Sequence, residues 1–262
     1  MTTGKLFATA WDFDPSIVVG CVLLLGLYFL AVRFRFDRFG ATFAGGVAIM
    51  FLSLVSPIDA LGDDYLFSAH MLQHIVLDLV APALFVMGLP ETMVRGWLRL
   101  RSIDRTERVL GAPVVAWFLG TGTLAIWHLP YLYNATLANE YIHIFEHITF
   151  LITGTILWWP VLSPIRERRL PAMTAVIYLI LAGLANSLVG IFFTLANTAF
   201  YSGYLHPDDE LGALSLIRNT WGLDPVADQK LGGAFMWVIG SVIFLAAILV
   251  MVARWFREEA EG

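Results

Sequence analysis

The sequence predicts an all-α protein, a polytopic membrane bundle of seven transmembrane helices. Of its 262 residues, 58% are apolar and only 14% are charged, whereas about 25% are charged in a typical soluble domain. The apolar residues form long runs, and about 20 helical residues cross a hydrocarbon core. Because a backbone in lipid must satisfy its own hydrogen bonds, runs of this length predict helices. We therefore expect a single transmembrane domain over residues 1–262.

The predicted spans follow the apolar runs, and Gly or Pro marks several of their ends. Pro57 closes the second run, Gly88 and Pro90 follow the third, Pro130 closes the fourth, and Pro171 opens the sixth. In chain order, the predicted spans are residues 15–33, 40–57, 66–88, 112–130, 140–162, 171–198 and 232–255. A loop over residues 200–231, on the predicted outer side, separates the last two spans.

The basic residues predict the orientation of the bundle. Thirteen of the sixteen Lys and Arg residues fall in the segments after spans one, three, five and seven. The positive-inside bias then places the N-terminus outside and the C-terminus in the cytoplasm. This orientation requires an odd number of spans, as seven is. The basic loops are short and consist of Arg, so they indicate topology beside an anionic leaflet and no nucleic-acid partner.

All six histidines fall in the outer half of the bundle under this topology. Span three carries His70 and His74, span four ends near His128, and span five carries His143 and His147. Helical rise places these five within roughly 3–12 Å of the outer ends of their spans. Each HxxxH pair has i, i+4 spacing and projects from one helix face.

Two HxxxH pairs on different helices can converge on one metal ion. Imidazole nitrogen binds a metal at about 2.0–2.1 Å, and packed helices lie about 8–10 Å apart. We therefore predict a metal site with histidine ligands at the outer mouth of the bundle. The predicted ligands are His70, His74, His128, His143 and His147.

One methionine and three polar residues complete the predicted site. Met236, in the same layer of span seven, would add a thioether, and imidazole with thioether favours copper, particularly Cu(I). A site of histidines and water could equally hold Zn²⁺ or Cu²⁺. Asp78 and Glu146 are predicted to orient the imidazoles as hydrogen-bond acceptors. Asp78 lies near mid-bilayer, where a carboxylate is costly, and Asn186 at similar depth is its candidate partner on a proton or ion path.

Four stretches of the chain follow the pattern of a known family. They are residues 67–74 running on to Ala81-Pro82, residues 128–130 with Tyr133-Asn134, residues 143–147 leading to Trp158-Trp159-Pro160, and residues 228–233 with Met236-Trp237. In this order, from about residue 40 to 255, the chain resembles the CtaG-type assembly factors of cytochrome c oxidase. These proteins are distinct from the single-span copper chaperone that sometimes shares the CtaG name.

The resemblance implies a multi-pass protein of the bacterial inner membrane that matures a caa(3)-type haem-copper oxidase. It implies copper as the metal handled, oxidase subunits or another copper chaperone as partners, and no enzymatic activity. Copper centres of such oxidases lie towards the outer side, where the histidines are predicted. The family supplies no ligand set, so the predicted ligands rest on spacing and depth.

A redox enzyme is the first alternative. A bis-histidine haem would need facing histidines on different helices, such as His70 and His147. A di-iron centre would draw on the HxxxH pairs and on Glu140-x-x-His143. The His-His doublets of membrane desaturases are missing, and desaturase histidines face the cytoplasm.

A metal transporter is the second alternative. Asp78, Asn186 and the small residues Gly183, Ser187 and Gly190 could line a polar path through the bundle. The sequence shows neither an inverted repeat nor paired broken helices, which are typical of many transporters. Small residues at helix contacts explain the same pattern more simply.

Overall fold

The computed structural model describes residues 1–261, in which the chain is all-α and no strand occurs. Short connections join most of the helices, and 3₁₀ turns occur at Arg166–Arg168 and Ser202–Tyr204. In chain order the helices are α1 (Thr3–Thr9), α2 (Pro15–Ala31), α3 (Arg38–Val55), α4 (Pro57–Asp64), α5 (Phe67–Met87), α6 (Glu91–Trp97), α7 (Arg101–Leu110), α8 (Pro113–Trp127), α9 (Pro130–Ala138), α10 (Glu140–Leu162), α11 (Ala172–Leu195) and α12 (Pro225–Glu261).

Each predicted span contains a helix, so the all-α class is confirmed. Five helices are long and apolar enough to cross a membrane: α3, α5, α10, α11 and α12. The pair α7 and α8 makes a sixth if these two helices, which are bent by 68° from each other, form one span. The apolar helix α2 has 17 residues, one fewer than α3, the shortest of these five helices. The number of seven crossings and their orientation stay predictions.

The last helix begins earlier than the sequence predicts. Residues 225–231, expected to belong to the outer loop 200–231, form the first two turns of α12. The reason is a cap, because the Asp224 Oδ1 atom accepts hydrogen bonds from the backbone N–H groups of Val226 and Ala227, both at 2.9 Å. Pro225 fits the first helical position, where no N–H is required.

Charged and aromatic contacts distinguish the two ends of the bundle. At one end, the basic end, Arg95 pairs with Glu167 at 3.0 Å and Arg168 with Asp104 at 2.6 Å. At the opposite end, the histidine end, the segments around residues 56–66, 128–139 and 196–224 meet. There the Tyr204 hydroxyl donates a hydrogen bond to the backbone carbonyl of Gly62 in α4. The contacts between these loops therefore form two separate sets.

A carboxylate of α12 caps the N-terminus of α5. The Asp228 side chain accepts hydrogen bonds from the backbone N–H of Phe67 at 2.7 Å and of Ser68 at 3.2 Å, and from the Ser68 hydroxyl at 2.5 Å. Leu66, which precedes the helix, has no capping side chain of its own. The first N–H groups of a helix have no partner within it, so this buried carboxylate supplies what α5 lacks.

A π turn interrupts α5 at Val76–Val80 and packs directly on α10. The backbone carbonyl of Asp78, in this turn, faces Gly154 of α10 so closely that a Cβ atom at Gly154 would collide with it. π turns occur often at functional sites. The absence of a side chain at Gly154 therefore allows α5 and α10 to approach just below their histidines.

Small residues also bring α11 and α12 together. A Cβ atom at Gly190 would lie 2.7 Å from the carbonyl oxygen of Gly233, and one at Gly233 would lie 2.6 Å from the carbonyl oxygen of Gly190. Lower in the same interface, the Asn186 side chain donates a hydrogen bond to the Met236 carbonyl at 3.0 Å. Close backbone approach through small residues is typical of membrane helix pairs.

We expect Gly154→Ala to destabilise the protein by about 1–3 kcal/mol, because the added methyl group meets rigid backbone of the π turn. Thermal unfolding in detergent measures the effect. Gly122→Ala in α8 is the matched control, since a Cβ atom there meets nothing within 4 Å. Equal melting temperatures for the two variants would contradict the close packing of α10 on α5.

Candidate metal centre

Three of the predicted histidines and one predicted acidic residue converge in the protein interior. His70 and His74 lie one turn apart on α5, with ring centroids 4.2 Å apart. Across the interface, His147 of α10 lies 6.0 Å from His70 and 5.6 Å from His74, between ring centroids. Glu146 is fully buried beside them. We call His70, His74, Glu146 and His147 the inner group.

The inner group has the dimensions of a metal site. One ligand atom from each of its four residues lies within 4.8 Å of the others. In a tetrahedral site with bonds of 2.0–2.1 Å, ligand atoms lie roughly 3.4 Å apart. Side-chain movements of about an ångström would therefore bring the four atoms to bonding distance. Three imidazole nitrogens with one carboxylate oxygen are a donor set suited to Zn²⁺ or Cu²⁺.

Six polar atoms of the inner group have no hydrogen-bond partners within residues 1–261. This applies to Nε2 of His70, both ring nitrogens of His74, Nε2 of His147 and both carboxylate oxygens of Glu146. Buried polar atoms are nearly always partnered in proteins, by protein, water or ion. Unpartnered donor atoms gathered at one point therefore fit a site for a cation.

The carboxylate of Glu146 makes no hydrogen bond to the imidazoles of His70 and His74. Its Oε2 atom lies 3.9 Å from Nε2 of His70 and 3.8 Å from Nε2 of His74. Both distances exceed hydrogen-bonding length, so Glu146 does not orient either imidazole as an acceptor. Its carboxylate lies among the imidazole nitrogens of the inner group, within 4.8 Å of them.

A backbone carbonyl fixes the tautomer of His70. Nδ1 of His70 lies 3.3 Å from the carbonyl oxygen of Gly62. A carbonyl only accepts, so Nδ1 carries the proton and the lone pair of Nε2 is directed to the inner group. The same Gly62 oxygen accepts a hydrogen bond from the Tyr204 hydroxyl at 2.7 Å, and this hydroxyl contacts that of Tyr133 at 3.0 Å. Neither tyrosine was predicted as a site residue from the sequence, because their role depends on chain segments that are distant in sequence.

His128 lies beside the inner group, with one ring nitrogen directed to a backbone carbonyl and the other to a thioether sulfur. Its ring centroid is 5.8 Å from that of His74. Nδ1 donates to the Leu124 carbonyl at 2.7 Å, and Nε2 lies 3.1 Å from the Met71 sulfur. His128 is therefore a neighbour of the inner group and forms a separate contact with a thioether.

The other predicted residues lie next to the inner group, towards the basic end. Asp78, Asn186 and Met236 line one small cavity together with His74 and Met71. The Asn186 amide donates to the Met236 carbonyl, and Oδ1 of Asp78 has no hydrogen-bond partner in the described part of the chain. The predicted pairing of Asp78 with Asn186 is thus absent as a hydrogen bond, although both line the same cavity. Neither Asp78 nor Met236 belongs to the inner group.

His143 lies apart from the inner group, next to an acidic residue that the sequence analysis did not select. Nε2 of His143 is 3.7 Å from Oδ1 of Asp63, and Nδ1 of His70 is 3.8 Å from the same oxygen. Burial raises the pKa of Asp63 well above its ordinary value, and the charges of Asp59 and Asp64 add to the shift. We call Asp63 and His143 the mouth pair. The position of Asp63, just before the first histidine helix, is the sequence signal that could have identified it.

The sequence pattern described as cytochrome c oxidase caa3 assembly factor matches residues 26–258 of the chain. Three curated proteins are also similar. The uncharacterized protein ML1998 of Mycobacterium leprae is 25% identical over 97% of this chain and 40% of its own length. The uncharacterized proteins Mb0105 of Mycobacterium bovis and MT0111 of Mycobacterium tuberculosis are each 26% identical over 96% of this chain and 40% of their own length.

The chain thus spans about 40% of the length of these curated relatives. No solved structure matches it. The family pattern covers nearly all of the described helices, including every residue of the inner group and the mouth pair. The chain therefore belongs to the cytochrome c oxidase caa3 assembly factor family.

Proposed function

We propose that the inner group binds a copper ion and that the chain supplies this ion during assembly of a caa3-type cytochrome c oxidase. The observation that carries the proposal is the convergence of four buried ligand atoms, from His70, His74, Glu146 and His147, that have no hydrogen-bond partners among residues 1–261. A charged or polar group buried without a partner is costly, and a bound cation would offset that cost. Membership of the assembly-factor family supports oxidase maturation as the process.

Copper is favoured over other metals by the surroundings of the inner group. Three nitrogens and one oxygen suit Cu²⁺, although they would also hold Zn²⁺. The contact between His128 and the Met71 sulfur, together with Met236 nearby, adds soft donors next to this set. Imidazole and thioether donors stabilise Cu(I). Nitrogen and oxygen ligands beside thioether sulfurs are therefore suited to copper both as Cu(II) and as Cu(I).

The alternative of a redox enzyme has less support from the geometry. The rings of His70 and His147 are 6.0 Å apart between centroids, and the His74 ring packs within 6 Å of both. This arrangement leaves no slot for a porphyrin between them. For a di-iron centre the inner group provides one carboxylate, from Glu146, while Glu140 is exposed at the start of α10.

Transport of the ion through the bundle also has less support. The cavity next to the inner group is small and enclosed by Asp78, Asn186, Met236 and their neighbours. The Asn186 amide nitrogen donates to a backbone carbonyl of α12, which fixes the orientation of this side chain within the helix interface. A binding site open towards one end of the bundle is the simpler arrangement.

The proposal includes the cellular placement of the site. We propose an N-terminus outside and a C-terminus in the cytoplasm, with seven crossings of the bacterial inner membrane. The basic end would then face the cytoplasm, as the positive-inside bias requires. The histidine end would face outward, the side on which copper would be passed from a copper chaperone or to the oxidase subunits.

We expect the purified full chain to bind about one copper ion, and His147→Ala or Glu146→Gln to weaken binding by about 100-fold or more. Loss of even a supporting group costs 10–100-fold in metal affinity. Elemental analysis and competition with a chelator measure the effect. His206→Ala, in the exposed outer loop, is the matched control. Stoichiometric, tight copper in both inner-group variants would refute the assigned ligands.

In the host cell, we expect the Glu146→Gln variant to leave oxidase activity near the level of a strain without the gene, because the oxidase would lack copper. Copper content and activity of the purified oxidase report the result, and excess copper in the medium should restore part of the activity. Asp64→Asn serves as a control for loss of an exposed carboxylate at the same end. Normal copper content of the oxidase in the Glu146→Gln strain would count against delivery.

Cysteine labelling tests the orientation. Cys21 is buried and is the chain's one cysteine, so it is first replaced by Ser. We then expect a membrane-impermeant maleimide to label Asp208→Cys in intact protoplasts, and to label Arg105→Cys only after lysis. Both positions are exposed in the fold, so accessibility depends on the side of the membrane. The reverse pattern would mean that the histidine end faces the cytoplasm.

A further inference from the structure

The mouth pair is a second place where ligand atoms meet without partners. Oδ1 of Asp63 and Nε2 of His143 are buried, lie 3.7 Å apart, and have no hydrogen-bond partner in the part of the chain that the structure describes. The distance is too long for a direct hydrogen bond, so the two residues do not satisfy each other. Together with His70, they form a separate group of three with ligand atoms within 4.8 Å of one another.

His70 belongs to both groups, but through opposite sides of its ring. Nε2 points to Glu146 of the inner group, and Nδ1 lies 3.8 Å from Asp63 of the mouth pair. A neutral imidazole has one lone pair, so only one of the two nitrogens can bind a cation at a time. The hydrogen bond from Nδ1 to the Gly62 carbonyl favours the inner side.

The two groups differ in ligand number and exposure. With Nδ1 of His70 held by Gly62, the mouth pair offers two free ligand atoms, whereas the inner group offers four. Side chains of the mouth pair are partly exposed, at 35% for Asp63 and 14% for His143, while those of the inner group are at most 9% exposed. A cation at the mouth pair would keep water ligands and exchange quickly, and the inner group would hold it more tightly.

The surroundings of the mouth pair are acidic. Asp59 and Asp64 lie in α4 beside Asp63, and Asp208 and Glu210 of the outer loop act electrostatically on Asp64. A region lined by one sign of charge raises the local concentration of counter-ions and their association rate. The charge distribution would therefore draw cations to the mouth pair before they reach the interior.

We propose that Asp63 and His143 form a separate capture site for the copper ion, which passes from there to the inner group past the ring of His70. The hypothesis rests on the proposed copper binding by the inner group and adds a route to it. In the transfer, the ion leaves the water-exposed mouth pair and binds Nε2 of His70, while Nδ1 keeps its proton and its hydrogen bond to Gly62. No electron is exchanged, and water ligands of the ion are released to solvent.

The test is the rate of copper loading of the full chain in detergent. The protein is mixed with Cu²⁺ held by a weak chelator, and binding is followed by quenching of tryptophan fluorescence. The Asp63→Asn, His143→Asn double variant should load at least about 10-fold more slowly, as expected when local ion concentration is lost. Its equilibrium affinity for the tightly bound ion should change less than about 3-fold. Glu259→Gln, which removes an exposed carboxylate near the C-terminal end of α12 and far from the mouth pair, is the matched control and should load within about 2-fold of the unaltered protein.

Each outcome separates the two proposals. An unchanged loading rate in the double variant, with tight copper retained, would overturn the capture site and leave the inner group intact. Loss of the tightly bound ion in the double variant would also overturn it, because Asp63 or His143 would then be a ligand of the inner ion. If the unaltered protein binds no copper, the proposed function itself fails. Should the double variant not fold, each single variant is held to the same rate and affinity criteria.

Discussion

The carboxylate of Asp228 is the contact on which the histidine end depends. It reaches from α12 to the first N–H groups of α5, and it is buried where no water can replace it. By tying two distant parts of the chain together, it sets the depth and rotation of α5 within the bundle. His70 begins the next turn of that helix, so its position is a direct consequence of a residue 158 positions later in the chain.

A second contact, between α10 and the π turn of α5, lies closer to the basic end and fixes the distance between the two histidine-bearing helices. Gly154 allows the backbone of α10 to contact the π turn of α5, so the histidines just above this contact face each other across a narrow gap. The Gly62 carbonyl then selects one nitrogen of His70. The inner group thus results from helix termini and backbone contacts, while its own side chains contribute few hydrogen bonds within the described chain. An interior assembled in this way is suited to a positive charge.

The sequence predicted much of this arrangement and missed specific parts of it. The HxxxH spacing determines which helix faces carry the histidines, and the apolar runs determine their depth, so the meeting of His74 with His147 could be predicted. Side-chain direction could not: His128 lies at the right depth, yet its ring turns to Leu124 and Met71. Asp63 was missed because its contact with His143 depends on how α4 folds back over α5. The early start of α12 followed from the Asp224-Pro225 cap, whose sequence signal is present but was not used.

The π turn in α5 has a consequence for how the helix is divided. A π turn contains one more residue than an α-helical turn. The extra residue rotates the side chains after the turn by about 100° relative to those before it. The side chains of the segment with the histidines are therefore rotated about the helix axis relative to those of the segment with Pro82. Substitutions in the segment with the histidines could change the ligand atoms there without disturbing the packing of the segment with Pro82 against the bundle. The π turn thus separates the segment of α5 that carries the histidines from the segment that contains Pro82.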